Sequence, residues 1–148
     1  MMMKHRIATI DAHFDDSPGR PRLLIEDPDA WAYADHFTSL GYNVATCSGP
    51  QPEGPDCSRC SLVWEGSCSA VDSADVILTA LPLDVALPIV QAIGERAGSV
   101  ATVLHVPAQH AARYEQLLGE VAIVPFPASL PELEAAVRQA AEPAGATA

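Results

Sequence analysis

The sequence predicts an α/β domain built on a doubly wound, five-stranded parallel sheet. Short apolar runs rich in β-branched residues alternate along the chain with segments whose apolar residues follow a helical period. The runs are apolar almost throughout, as strands covered on both faces must be. Because each right-handed crossover places its helix against a sheet face, strict alternation of strands and helices predicts helices on both sides of the sheet.

Five runs are predicted as strands, namely residues 22–26, 42–47, 75–80, 100–106 and 121–124.

The first helix has clear boundary signals in the sequence. Directly after the first run, Asp27 is predicted as a helix N-cap, with Pro28 at the first helical position. Gly41 is predicted to end this helix, because glycine readily adopts the left-handed conformation of a helix C-terminus.

The later helices carry similar signals. Asp84 is predicted to cap the helix after the third strand, and residues 109–118 are predicted to form the helix after the fourth. Ser129 and Glu132 have the spacing of a capping box, which predicts the start of the last helix.

One segment breaks the alternation. Residues 48–73 contain Gly49-Pro50, Pro52, Gly54-Pro55 and three cysteines, without a helical or strand period. We therefore expect a Cys/Pro/Gly-rich loop in place of the second helix, within a cysteine-rich insertion that covers residues 47–73.

Length and composition predict one folded domain. The chain has 148 residues, of which 49% are hydrophobic, enough for one core. Residues 1–20 lack a sustained period and are predicted to form a flexible arm, residues 21–141 the domain, and residues 142–148 a flexible tail.

The charge of the chain excludes some partners. A formal net charge of -11 repels nucleic acid and anionic bilayers on average, so we expect neither as a partner. No apolar run reaches the roughly 18 residues that a membrane helix needs. We therefore expect a cytoplasmic protein, with an oligomeric state that the sequence leaves open.

Two stretches resemble response-regulator receiver domains, the CheY-like family. Leu24-Ile25-Glu26-Asp27 is similar to the acidic pair that ends the first strand in that family and binds a divalent cation. Val124-Pro125-Phe126-Pro127, followed by 129–133, is similar to the end of the fifth strand and the last helix. The resemblance implies a flavodoxin-like fold over residues 21–141.

The departures from the family suggest a pocket that cannot be phosphorylated. Ala80 stands at the position of the phospho-acceptor aspartate, and Phe126 at that of the lysine that neutralises the developing charge. Lys4 is the only lysine of the chain. His105 ends the fourth strand, where we expect a hydrogen-bonded structural histidine. The degenerate receiver pocket thus comprises Glu26, Asp27, Ala80, His105 and Phe126, and without a third carboxylate Mg²⁺ is not expected.

Four cysteines lie close together in the pattern C-x9-C-x2-C-x7-C. They are Cys47, Cys57, Cys60 and Cys68. In a reducing compartment such clusters bind metal or perform redox chemistry, and these four could hold Zn²⁺ or an iron–sulfur cluster. Free thiols and a disulfide between Cys57 and Cys60 are the alternatives. Cys47-Ser-Gly-Pro50 and Cys60-Ser-Leu-Val63 also resemble a segment of actinobacterial receiver-like proteins.

Two functions follow as hypotheses, and neither is enzymatic, since no catalytic motif is present. The first is a pseudo-receiver that binds a protein partner in signal transduction. Its binding face would comprise the fourth and fifth helical units, including Arg113, Glu115, Gln116, Glu134 and Arg138. The second is a sensor in which the segment from Cys47 to Cys68 binds metal or is oxidised and so reshapes the neighbouring strand ends.

Overall fold

The computed structural model describes residues 14–16, 19–47, 68–95, 100–118 and 122–142. Within these ranges, five strands alternate with five helices, which confirms the predicted α/β class. The elements in chain order are β1 (Arg22–Glu26), α1 (Trp31–Ser39), β2 (Asn43–Cys47), α2 (Ser69–Ser73), β3 (Val76–Thr79), α3 (Leu83–Gly94), β4 (Ala101–Pro107), α4 (Ala108–Leu118), β5 (Ala122–Phe126) and α5 (Leu130–Ala141).

The five strands form one parallel sheet in the order β2-β1-β3-β4-β5. This is the flavodoxin-like order, which the sequence could not reveal. The chain runs from β1 outward to β2 and then returns to the other side of β1 with β3. The carboxyl ends of all five strands consequently lie at one edge, and the crevice of such a sheet opens between β1 and β3.

Helices bury both faces of the sheet. On one face, which we call the α3 face, Leu24, Ile77 and Leu104 pack with residues of α2, α3 and α4. On the opposite face, the α5 face, Leu78 and Val103 pack with residues of α1 and α5. Two buried faces explain why the strands read as continuous apolar runs rather than as alternating ones.

The first helix starts later than the sequence suggests. Asp27 was predicted as its N-cap, but α1 begins at Trp31 with Ala30 as N-cap. Asp27 instead accepts a hydrogen bond at Oδ1 from the backbone N–H of Asp29, at 2.8 Å, and so closes a turn ahead of the helix. The helix end is as predicted, since Gly41 has a φ of 101°.

For the later helices, one predicted N-cap was wrong and one was confirmed. The prediction for Asp84 was wrong, because Pro82 is the N-cap of α3 and Asp84 lies in its first turn. A proline with extended ψ already fixes the entry of the chain there. The capping box of Ser129 and Glu132 is confirmed, with hydrogen bonds of 2.8 and 3.2 Å in the two directions.

The cysteine-rich insertion ends in a helix that the sequence analysis did not predict. Ser69–Ser73 form α2 between β2 and β3. The prediction of a loop without helical structure over residues 48–73 was therefore wrong for the last five of these residues. Ala70 and Val71 are buried on the α3 face. One turn carries too few apolar residues to show a helical period. The rest of the predicted loop, residues 48–67, lies outside the described residues.

A short part of the predicted arm contacts the domain. Phe14 packs against the α3 face. Asn43, buried at the start of β2, donates a hydrogen bond through Nδ2 to the carbonyl oxygen of Asp15, at 2.9 Å. Its Oδ1 accepts one from the backbone N–H of Asp15, at 3.2 Å. This side chain therefore ties the residues before β1 to the edge strand β2.

Candidate functional site at the carboxyl edge of the sheet

The sheet register brings the predicted pocket residues to one edge. Glu26 pairs with Thr79, and Thr79 pairs with Leu104. The backbone N–H of Ala80 donates to the carbonyl oxygen of Glu26 at 2.9 Å, which continues the ladder past the end of β3. One step further along each strand, Asp27, Ala80 and His105 therefore lie in a single row, on β1, β3 and β4.

The row belongs to the α5 face, whereas Glu26 belongs to the α3 face. Successive side chains of a strand point to opposite faces, so the two acids of the pair are separated by the sheet. Phe126 joins the row from β5, with its ring centroid 5.0 Å from that of His105. The structure thus brings together Asp27, Ala80, His105 and Phe126 and places Glu26 on the other side.

Glu26 is a buried acid without a good partner. Its exposed fraction is 4%. Burial raises the pKa of its carboxyl group, the Thr79 hydroxyl lowers it by a smaller amount, and the resulting pKa is about 7. Neither Glu26 Oε1 nor Thr79 Oγ1 has a partner with ordinary hydrogen-bond geometry among the described residues. Near neutral pH the protonated and the ionised forms of Glu26 are therefore present in similar amounts.

Asp27 has two partners on its own segment. Besides the contact with Asp29, its Oδ2 accepts a hydrogen bond from the hydroxyl of Tyr33 on α1. Burial, this hydrogen bond and the negative charges of Asp27 and Asp29 all raise the pKa of Tyr33, so its phenol stays protonated. Tyr33 consequently acts as a hydrogen-bond donor to Asp27.

His105 differs from the structural histidine expected from the sequence. It is 7% exposed, and neither ring nitrogen has a hydrogen-bond partner among the described residues. Burial lowers the pKa of the imidazole, and the charge of Asp27 opposes this shift without reversing it. At neutral pH the ring is therefore neutral, with one nitrogen able to accept a hydrogen bond.

The row has one carboxylate, that of Asp27, and no carboxylate at residue 80. Ala80, whose side chain is a methyl group, lies between Asp27 and His105 in the row. The chain's only lysine, Lys4, lies outside the described residues. What the described part offers is a carboxylate, a neutral imidazole and two aromatic rings.

Two of the four cysteines lie in the described part of the chain, and Cys47 is the one at this edge. Cys47 ends β2 as the register partner of Glu26, and so points to the α3 face. Cys68 precedes α2 and packs against the same apolar cluster as Cys47. Cys57 and Cys60 lie outside the described residues. Within the ranges that are described, no three His, Cys, Asp or Glu side chains form a metal-binding group.

Sequence reasoning missed the roles of Thr79 and Tyr33. Thr79 had one visible signal, as the single polar residue at the end of an otherwise apolar strand. The contact of Tyr33 with Asp27 carried no such signal, since it depends on the turn that separates β1 from α1.

The fold and the site together define an α/β protein with the flavodoxin-like strand order, whose carboxyl edge contains the carboxylates of Glu26 and Asp27 and the imidazole of His105. Comparison with known proteins adds no family to this description, because no family model, curated protein or solved structure matches the chain. Among the described helices, none is long and apolar enough to cross a membrane.

Proposed function

We propose that this protein is a pseudo-receiver, a receiver-like domain that cannot be phosphorylated and acts in signal transduction by binding a protein partner. The observation that carries the proposal is the position of Ala80. It follows β3 in the centre of the row, between Asp27 and His105, where a phospho-acceptor would need a carboxylate. The strand order β2-β1-β3-β4-β5 supports the same proposal, because receiver domains share it.

Exposed apolar side chains on β5 and on its two flanking helices support binding of a protein partner. β5 is an edge strand, and α4 and α5 flank it on the two faces of the sheet. Three large apolar side chains are exposed on these elements: Leu117 (44%), Phe126 (54%) and Leu130 (37%). We call these three residues the β5 surface. Exposed apolar side chains surrounded by charged groups are typical of protein interfaces.

Charged and polar residues lie on the two helices that flank β5. Arg113, Glu115 and the neutral Gln116 are exposed on α4, and Arg138 is exposed on α5, where it pairs with Glu134. Such exposed charges contribute little binding energy but increase the rate of encounter with a complementary partner. The apolar residues would supply the affinity and the charges the orientation.

The absence of phosphorylation is tested with acetyl phosphate and Mg²⁺, followed by intact-protein mass spectrometry. We expect no covalently bound phosphate. Stoichiometric incorporation would overturn the proposal, because the chain would then possess an acceptor and the electrostatics to support it.

Partner binding is tested by comparing immobilised wild-type protein with two matched variants. Leu117→Asp places a charge on the β5 surface, whereas Leu40→Asp places one at an equally exposed leucine after α1. A partner of the β5 surface should be lost with Leu117→Asp and retained with Leu40→Asp. Equal loss or equal retention would contradict this location.

A metal or redox sensor is the second candidate. The observation that favours it is the register pairing of Cys47 with Glu26, which places a thiol next to a buried acid at the carboxyl edge of the sheet. Zinc, or iron with charge-transfer absorption, in protein purified without oxygen would support this candidate. If Cys60→Ser with Cys68→Ser leaves metal content, folding and partner binding unchanged, the candidate fails.

A further inference from the structure

We draw no further inference here: the strongest candidate, the buried Glu26 carboxyl group between its register partners Cys47 and Thr79 at the carboxyl edge of the sheet, belongs to the site already described, and nothing among the described residues shows a ligand or a moving element on which its ionisation would act.

Discussion

Glu26 and Thr79 are register partners at the carboxyl ends of β1 and β3, and each keeps a buried oxygen without a partner of ordinary hydrogen-bond geometry among the described residues. Buried polar groups are nearly always paired in folded proteins, because an unpaired group loses its hydration without compensation. This pair therefore reduces stability at the point where a doubly wound sheet usually binds its ligand. Its protonation state gives the first prediction.

Glu26→Gln should stabilise the protein above pH 7 and change little below pH 4.5. The folded state holds the Glu26 proton up to about pH 7, whereas the unfolded chain releases it near 4.5. The wild type consequently loses stability as the pH rises between these values, by up to about 3 kcal/mol. Gln cannot ionise and avoids this loss. Urea unfolding of both proteins from pH 4 to pH 8.5 measures the difference.

The exposed Glu115→Gln is the matched control and should not reproduce the gain. A constant difference between Glu26→Gln and wild type at every pH would show that Glu26 ionises equally in both states.

Tyr33→Phe should reduce the free energy of unfolding by about 0.5–1.5 kcal/mol, the usual contribution of one hydrogen bond. The hydroxyl of Tyr33 donates to Asp27 and joins α1 to the turn after β1. A double-mutant cycle with Asp27→Asn measures the coupling. Additive effects of the two substitutions would mean that this hydrogen bond is absent in solution.

Leu133→Ala should destabilise the protein by about 2–4 kcal/mol, because Leu133 is 2% exposed and its removal leaves a cavity under α5. Leu130→Ala, one turn earlier on the same helix and 37% exposed, should cost less than about 0.5 kcal/mol. Denaturant unfolding of both variants measures the contrast. Similar losses would contradict the packing of α5 against the sheet.

Ser129→Ala should cost about 1 kcal/mol by removing the capping box of α5. The hydrogen bonds with Ser129 lower the pKa of Glu132, so the carboxylate form is favoured in the folded protein. That contribution is present above the ordinary pKa and disappears as the pH falls through the lowered one. NMR titration should show the pKa of Glu132 rising only in part in the variant, because the Ser129 backbone N–H, the larger cause of the lowered pKa, remains. An unchanged pKa would mean that the Ser129 hydroxyl does not act on Glu132 in solution.

Much of the fold could be predicted because its signals are local. The strand runs, the left-handed Gly41 and the capping box of Ser129 with Glu132 each depend on a few neighbouring residues. The N-caps expected at Asp27 and Asp84 failed for the same reason. The local sequence around both aspartates is compatible with an N-cap. A turn after β1 delays the start of α1, and the extended conformation of Pro82 makes that residue the N-cap of α3.

The candidate site could be predicted only as a set of strand ends. The sequence placed Glu26, Asp27, Ala80, His105 and Phe126 at the ends of four strands, but it could not order those strands or assign side chains to faces. The register and the order β2-β1-β3-β4-β5 put Ala80 between Asp27 and His105 and moved Glu26 to the other face.

The sequence by itself determined the class of the fold, the lack of a carboxylate at residue 80 and the lack of any lysine besides Lys4. These are properties of residue identity and local pattern. The tertiary structure decided the burial of Glu26, the unpaired imidazole of His105 and the contact of Tyr33 with Asp27. Burial and pairing join residues that are distant in the chain, and the free energy of a polar group depends on those neighbours rather than on its own identity.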